Sequence, residues 1–197
     1  MLFIITRQWT ALMLDGNFVQ QKKIVNKTIA IIEPGGKTGI AIASKLAADN
    51  YRLLLVSNEI NQLPQIVQNI KVNNTNADVE IVDCAKEGCW EADIIVLANA
   101  FHEMKEMIEK IREVSTQKIV LIISDNEDDS SFFFNKAQEL QRLLPYSRIV
   151  AVFRNPHSLE TVIAGDDKEA SETILKMISM PGYQFIITDT LSAIEIS

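Results

Sequence analysis

Apolar runs of strand length recur along the chain: TIAII (28–32), RLLLV (52–56), DVEIV (78–82), DIIVLA (93–98), KIVLII (118–123), RIVAVF (148–153), TVIA (161–164) and QFIIT (184–188). Several are apolar at consecutive rather than alternate positions, the pattern of strands covered on both faces. The segments between them carry helical spacing. After Gly39, residues Ile40, Ala43, Leu46 and Ala47 share one face, while Ser44, Lys45 and Asp49 can face water. In HEMKEMIEKIREV (102–114), Met104, Met107, Ile108 and Ile111 form an apolar stripe that reads as a covering helix. Asp166 followed by Glu169 reads as a capping box that opens the helix ASETILKMI (170–178). This alternation predicts an α/β fold with a doubly wound, mostly parallel sheet and extra C-terminal strands. Residues 1–26 fall outside the alternation and read as an N-terminal extension to one domain over 27–197.

Charge and cysteine usage narrow the function classes. With 26 acidic against 19 basic residues the 197-residue chain has a formal net charge of −7, and no Lys/Arg cluster offers the basic face that a nucleic acid requires. The apolar opening MLFIIT is broken by Arg7 and Gln8. It lacks the basic start of a signal peptide and is too short to span a bilayer, so a cytoplasmic protein without a membrane partner is expected. Cys84 and Cys89 in CAKEGC have neither redox nor zinc-site spacing and read as free, partly buried thiols, and no metal site is expected. The acidic run SDNEDDSS (124–131) reads as a solvated loop, and Trp9 and Trp90 as packing residues. The two histidines, His102 at a strand-to-helix junction and His157 in the turn RNPHS, read first as ordinary surface polar residues.

The stretch TIAIIEPGGKTGIA (28–41) runs from a strand through a glycine-rich turn into a helix. In the G-x-G-x-x-G turn of dinucleotide-binding domains, the first glycine permits the turn, the second lets backbone approach the pyrophosphate, and the third lets the helix pack on the strand. Gly36 and Gly39 take the second and third places. Pro34 takes the first, preceded by Glu33, and Gly35 is expected to supply part of the missing freedom. The helix that starts near Lys37 would turn its amides and positive dipole end toward an anion, with Lys37 as a candidate partner for Glu33. A P-loop is excluded, because its first glycine would fall on Ile31 inside the strand. At the end of the second strand, where the adenosine ribose is read, stand Ser57, Asn58 and Glu59. Ser57 and Asn58 could bond a ribose or phosphate oxygen, and the choice between NAD and NADP stays open.

The blocks IAIIEPGGKTGIAIASKLA, NYRLLLVSNE, EADIIVLANAFHEMKEMIEKIRE, QKIVLIIS, AQELQRLLPYSRIVAVF and VIAGDDKEASETILKMI together resemble the coenzyme F420-dependent NADP oxidoreductase family over residues 27–195. The resemblance implies an NAD(P)-binding Rossmann fold, hydride transfer between NADP or NAD and a planar, deazaflavin-type acceptor, and a homodimer. It implies a cofactor held by Gly35, Gly36, Lys37, Thr38 and Gly39 at the pyrophosphate, Ser57 and Asn58 at the ribose, and Ala98, Asn99, Ala100 and Phe101 on the nicotinamide side. No catalytic side chain is implied, since hydride passes directly between two rings and positioning does the work. The chain departs from the family at Glu33 and Pro34, at Asn58 and Glu59, and after the fourth strand, where the usual proline is missing. Two readings follow: an NAD(P)-binding oxidoreductase-like protein, or a catalytically degenerate Rossmann module acting as a nucleotide sensor or through oligomer contacts.

Overall fold

The computed structural model describes residues 27–98, 105–124, 130–154 and 160–191. The extension 1–26 with Trp9, the segment that holds Asn99, Ala100, Phe101, His102 and Met104, and the turn with His157 lie outside the described residues. Among the described residues there are eight strands, β1 (Thr28–Ile32), β2 (Arg52–Val56), β3 (Val79–Ile81), β4 (Ile94–Leu97), β5 (Ile119–Ile123), β6 (Arg148–Arg154), β7 (Glu160–Ala164) and β8 (Gln184–Thr188). They form one sheet in the order β3-β2-β1-β4-β5-β6-β7-β8. Every neighbouring pair is parallel except β6 with β7. All eight coincide with the apolar runs to within about two residues.

The helices are α1 (Lys37–Ala48), α2 (Leu63–Asn73), α3 (Ala85–Glu91), α4 (Lys105–Ile111), α5 (Ser130–Leu143) and α6 (Lys168–Ile178). The two-residue period of the strands divides the core into halves. Ile29, Ile31, Leu53, Leu55, Ile94 and Val96 face α1, α2 and α6, whereas Ala30, Ile32, Leu54, Val56, Ile95 and Leu97 face α3, α4 and α5. Because both faces are covered, consecutive rather than alternate positions are apolar. On the second face Phe133 and Phe134 of α5 meet Phe153 of β6, with ring centroids 5.6–6.0 Å apart.

Three local expectations are corrected. Asp167, not Asp166, caps α6: its Oδ1 accepts from the Ala170 amide at 2.8 Å, while Asp166 Oδ1 accepts from Leu191 N–H at 3.2 Å. On α1 the buried face contains Gly39, Ile42, Ala43, Leu46 and Ala47, with Ile40 only partly covered. Trp90 is 72% exposed rather than packed, because the register of α3 turns its neighbour Cys89 inward. Cys89 is buried and Cys84 exposed, and burial pushes the Cys89 thiol up to about 12.

The C-terminal end of α3 is closed by a side chain from the opposite end of the next unit. Lys118 Nζ donates to the carbonyls of Cys89, Trp90 and Ala92 at 2.6–2.7 Å, satisfying acceptors that a helix end leaves open. Lys118→Met keeps the stem but strands these carbonyls. It is expected to lower unfolding free energy by about 2 kcal/mol, the scale of charge-assisted bonds, measurable as a drop in the urea midpoint.

Candidate functional site: the crevice at the carboxyl ends of β1 and β2

The strand order reverses between β1 and β4, and ligands of open α/β sheets bind outside the carboxyl ends of strands at such a point. The chain leaves β1 at Glu33, whose N–H continues the ladder to Val56 O at 2.8 Å. It then turns through Pro34 and Gly35 to Gly36, the N-cap of α1.

Each glycine of the loop has a different role. A Cβ on Gly39 would lie 2.7–2.8 Å from backbone atoms of Pro34, so only glycine lets the first turn of α1 press onto the loop. A Cβ on Gly36 would meet nothing within 4 Å. Gly36 is extended, with φ −77° and ψ 167°, and no side chain caps the helix there. At Gly36 the start of α1 therefore opens onto empty space, and Gly36 supplies no side-chain cap, an arrangement that lets an anion approach the positive end of the helix. A Cβ on Gly35 would stand 2.9 Å from Gln62 Oε1, the end of a flexible side chain.

The freedom expected of Gly35 is instead taken by Glu33, which adopts φ 54°. A non-glycine residue in this left-handed region costs on the order of 1–3 kcal/mol. Its side chain explains how the conformation is held. One carboxylate oxygen accepts from Ser57 Oγ at 2.5 Å and the other from Asn58 N–H at 2.7 Å. Ser57 Oγ in turn accepts from Glu59 N–H at 3.0 Å, and Glu59 accepts from Gln62 Nε2. Glu33 thus ties the end of β1 to the end of β2, and the pairing with Lys37 is not formed.

Two cavities flank this loop. The first, of about 240 Å³, is lined by Glu33, Gly35, Gly36, Ser57, Asn58, Glu59, Gln62 and Leu63. It brings together four residues singled out in the sequence: Gly35, Gly36, Ser57 and Asn58. It shares Ser57 and Asn58 with a wider hollow of about 680 Å³ between the ends of β2 and β3 and helices α3 and α4. The second cavity, of about 360 Å³, lies at the carboxyl ends of β5 and β6 and the amino ends of β7 and β8. Ile123, Val152, Ile178, Met180 and Phe185 give it an apolar body, and Lys37, Lys45 and Arg154 give it cationic groups. Lys45 is engaged by Asp49 at 2.7 Å, and Arg154 lies over the Tyr183 ring with its guanidinium carbon 4.8 Å from the centroid.

Lys37 and Thr38 line this second cavity, and Gly39 is buried beneath the loop, so the structure separates the loop residues that the sequence groups together. Ala98 is buried, with its N–H on Ile32 O at 3.0 Å, at the carboxyl end of β4 beside β1. Asn99, Ala100 and Phe101 follow it outside the described residues. Sequence reasoning missed the bond from Glu33 across to β2, the cavity wall formed by Gln62, and the contribution of Tyr183 and Phe185. No local signal marks these, because each depends on which strand ends become neighbours. Among the described residues no group of three metal-ligating side chains could hold a metal ion, and no helix is long and apolar enough to cross a membrane.

Comparison with solved structures confirms the architecture. A protein of unassigned function from Sinorhizobium meliloti superposes with a TM-score of 0.62 at 17% identity, over 85% of this chain and 87% of that one. A candidate F420-dependent NADP-reductase from Arthrobacter sp. FB24 gives 0.64 at 16%, over 82% and 84%. Pyrroline carboxylate reductase from Plasmodium falciparum, with NADP bound, gives 0.57 at 14%, with 83% of this chain spanning 58% of that one. At these identities the likeness shows the fold alone. No curated protein sequence matches. The family described as NADP oxidoreductase coenzyme F420-dependent matches residues 28–125, which include the glycine loop, the end of β2 and the segment after β4. Over residues 28–125, from β1 to the end of β5, the chain is similar to the coenzyme F420-dependent NADP oxidoreductase family.

Proposed function

We propose that the protein is an NAD(P)-dependent oxidoreductase that moves hydride between a nicotinamide dinucleotide and a planar small-molecule acceptor. The observation that carries this reading is the open start of α1 at Gly36, facing a cavity that runs from the glycine loop to the end of β2. Gly35 and Gly36 present backbone to the pyrophosphate, together with the amides at the start of α1, whose dipole favours the negative charge. Glu33, Ser57 and Asn58 face the adenosine ribose. Ala98 and the residues that follow it, Asn99, Ala100 and Phe101, form the nicotinamide side, where the bound ring supplies or accepts hydride. The second cavity is the acceptor side: its apolar walls suit a flat ring, and Lys37 and Arg154 suit an anionic substituent. No acid or base is required at the reacting atoms, so catalysis rests on holding two rings face to face.

A deazaflavin-type acceptor, as in the family, is the first to test. A cytoplasmic homodimer belongs to the same reading; Ile186 and Ile187, exposed on the edge strand β8, offer an apolar surface for a second copy. The testing experiment is a melting and calorimetric series with NAD, NADP and their reduced forms. Ligand at a hundred times its Kd adds about 2.7 kcal/mol, which raises the melting temperature of a chain this size by roughly 5–10 °C. Absence of any shift with all four, at millimolar concentration, would refute the reading.

A further inference from the structure

We propose that Glu33 and Glu59 make the nucleotide cavity select a dinucleotide whose adenosine ribose carries a free 2′-hydroxyl, NAD(H), over the 2′-phosphorylated form, NADP(H). The inference rests on the dinucleotide reading above and runs against the cofactor in the family's description.

In dinucleotide-binding domains the discriminating group stands at the end of the second strand: an acid that accepts from the ribose diol, or arginines that hold the phosphate. Here β2 is followed by Ser57, which is neither. The carboxylate arrives from the adjacent strand instead. Glu33, at the end of β1, reaches across so that its two oxygens accept from Ser57 Oγ at 2.5 Å and Asn58 N–H at 2.7 Å. An acid therefore occupies the terminus of β2 although the sequence of β2 contains none. A carboxylate has about four lone-pair sites, so these two bonds leave acceptors for a vicinal diol. The bonds fix the group in place, and its backbone is set at φ 54° with its N–H on Val56 O.

The charge around it points the same way. Glu59 supplies a second carboxylate to the cavity wall, to which no lysine or arginine contributes among the described residues. A 2′-phosphate would add a charge of about −1.5 to −2 beside these two acids. The adjoining hollow does hold cations, Lys86, Lys110 and Arg112, but Asp83, Glu109 and Glu113 line it as well, and Lys86 is paired with Glu113 at 2.8 Å. Lys37 lies on the far side of the loop, on the second cavity.

Binding of ADP-ribose and of 2′-phospho-ADP-ribose, measured by calorimetry, tests this without the nicotinamide or any turnover. ADP-ribose is expected to bind the wild type at least ~10-fold more tightly, equivalent to about 1.4 kcal/mol, with NADH and NADPH in the same order. The double variant Glu33→Gln/Glu59→Gln keeps acceptor atoms and size while removing both charges. It should bring the ratio close to one, with folding checked by its melting curve. Equal or tighter binding of the 2′-phosphorylated ligand by the wild type would overturn the inference and leave the dinucleotide reading standing. A ratio unchanged in the folded double variant would overturn it as well, by removing the carboxylates as its cause. Failure of the wild type to bind either ligand would overturn the dinucleotide reading and the selectivity with it.

Discussion

Gly36→Asp is expected to weaken dinucleotide binding at least ~30-fold, about 2 kcal/mol, while leaving the fold as stable as the wild type or slightly more so. The two effects separate because they act on different atoms. In the structure a Cβ at this position meets nothing within 4 Å, and its φ of −77° is open to any residue. Gly36 is already the N-cap of α1, in the extended conformation that N-caps adopt, and aspartate is among the preferred residues there. Its carboxylate would accept from the amides of the first turn and gain from the helix dipole, an effect between neutral and about +1 kcal/mol. Those amides are the ones a pyrophosphate would use. The new side chain would thus occupy the anion's donors, fill the space for its approach and repel its charge. Calorimetry with NADH together with a melting curve checks both halves. A folded Gly36→Asp protein that binds NADH like the wild type would show that the nucleotide does not enter at the start of α1.

Gly39→Ala is expected to have the opposite profile, with stability as the first loss. In an exposed helix interior the change would stabilise by about 1 kcal/mol through backbone entropy. At Gly39 a Cβ would sit 2.7–2.8 Å from Cα, C and O of Pro34. Those are backbone atoms of a proline held between β1 and α1, so relief requires the loop or the helix to move, and overpacking of this kind costs about 1–3 kcal/mol, occasionally more. The clash outweighs the propensity. The net expectation is a loss of about 2 kcal/mol, which lowers the melting temperature by roughly 4–8 °C in a chain of this length. Because Pro34 adjoins Glu33, the displacement would also disturb the bonds to Ser57 and Asn58. An alanine variant as stable as the wild type would mean that the loop yields without cost and that Gly39 is not needed for packing.

Much of the scaffold is legible in the chain because strands buried on both faces must be apolar at every position. RLLLV and KIVLII cannot satisfy that pattern as amphipathic helices. Boundaries were less legible. The cap of α6 is Asp167 rather than Asp166; both residues are acids, and only the hydrogen bond from Leu191 N–H assigns Asp166 elsewhere. Trp90 illustrates the same limit. A large aromatic residue is expected inside, but α3 has one buried face, and the small Cys89 with Ala85 and Gly88 takes it.

By itself the sequence determined the strand–helix alternation, the place of the glycine loop at the end of the first strand, and the likeness of residues 28–125 to an NADP oxidoreductase family. These follow from local patterning and from residues close together in the chain. Only the tertiary structure decided what the loop faces. Glu33 and Ser57 are 24 positions apart, and Lys37 and Arg154 are further apart still, yet each pair stands at one cavity or one strand terminus. Parallel strands place all their carboxyl ends on one edge of the sheet, so residues distant in sequence converge there. Which of them meet depends on strand order and register, fixed by packing across the whole sheet. For that reason a glutamate that departs from the family pattern in the glycine loop becomes, once β1 and β2 lie side by side, a carboxylate at the end of β2.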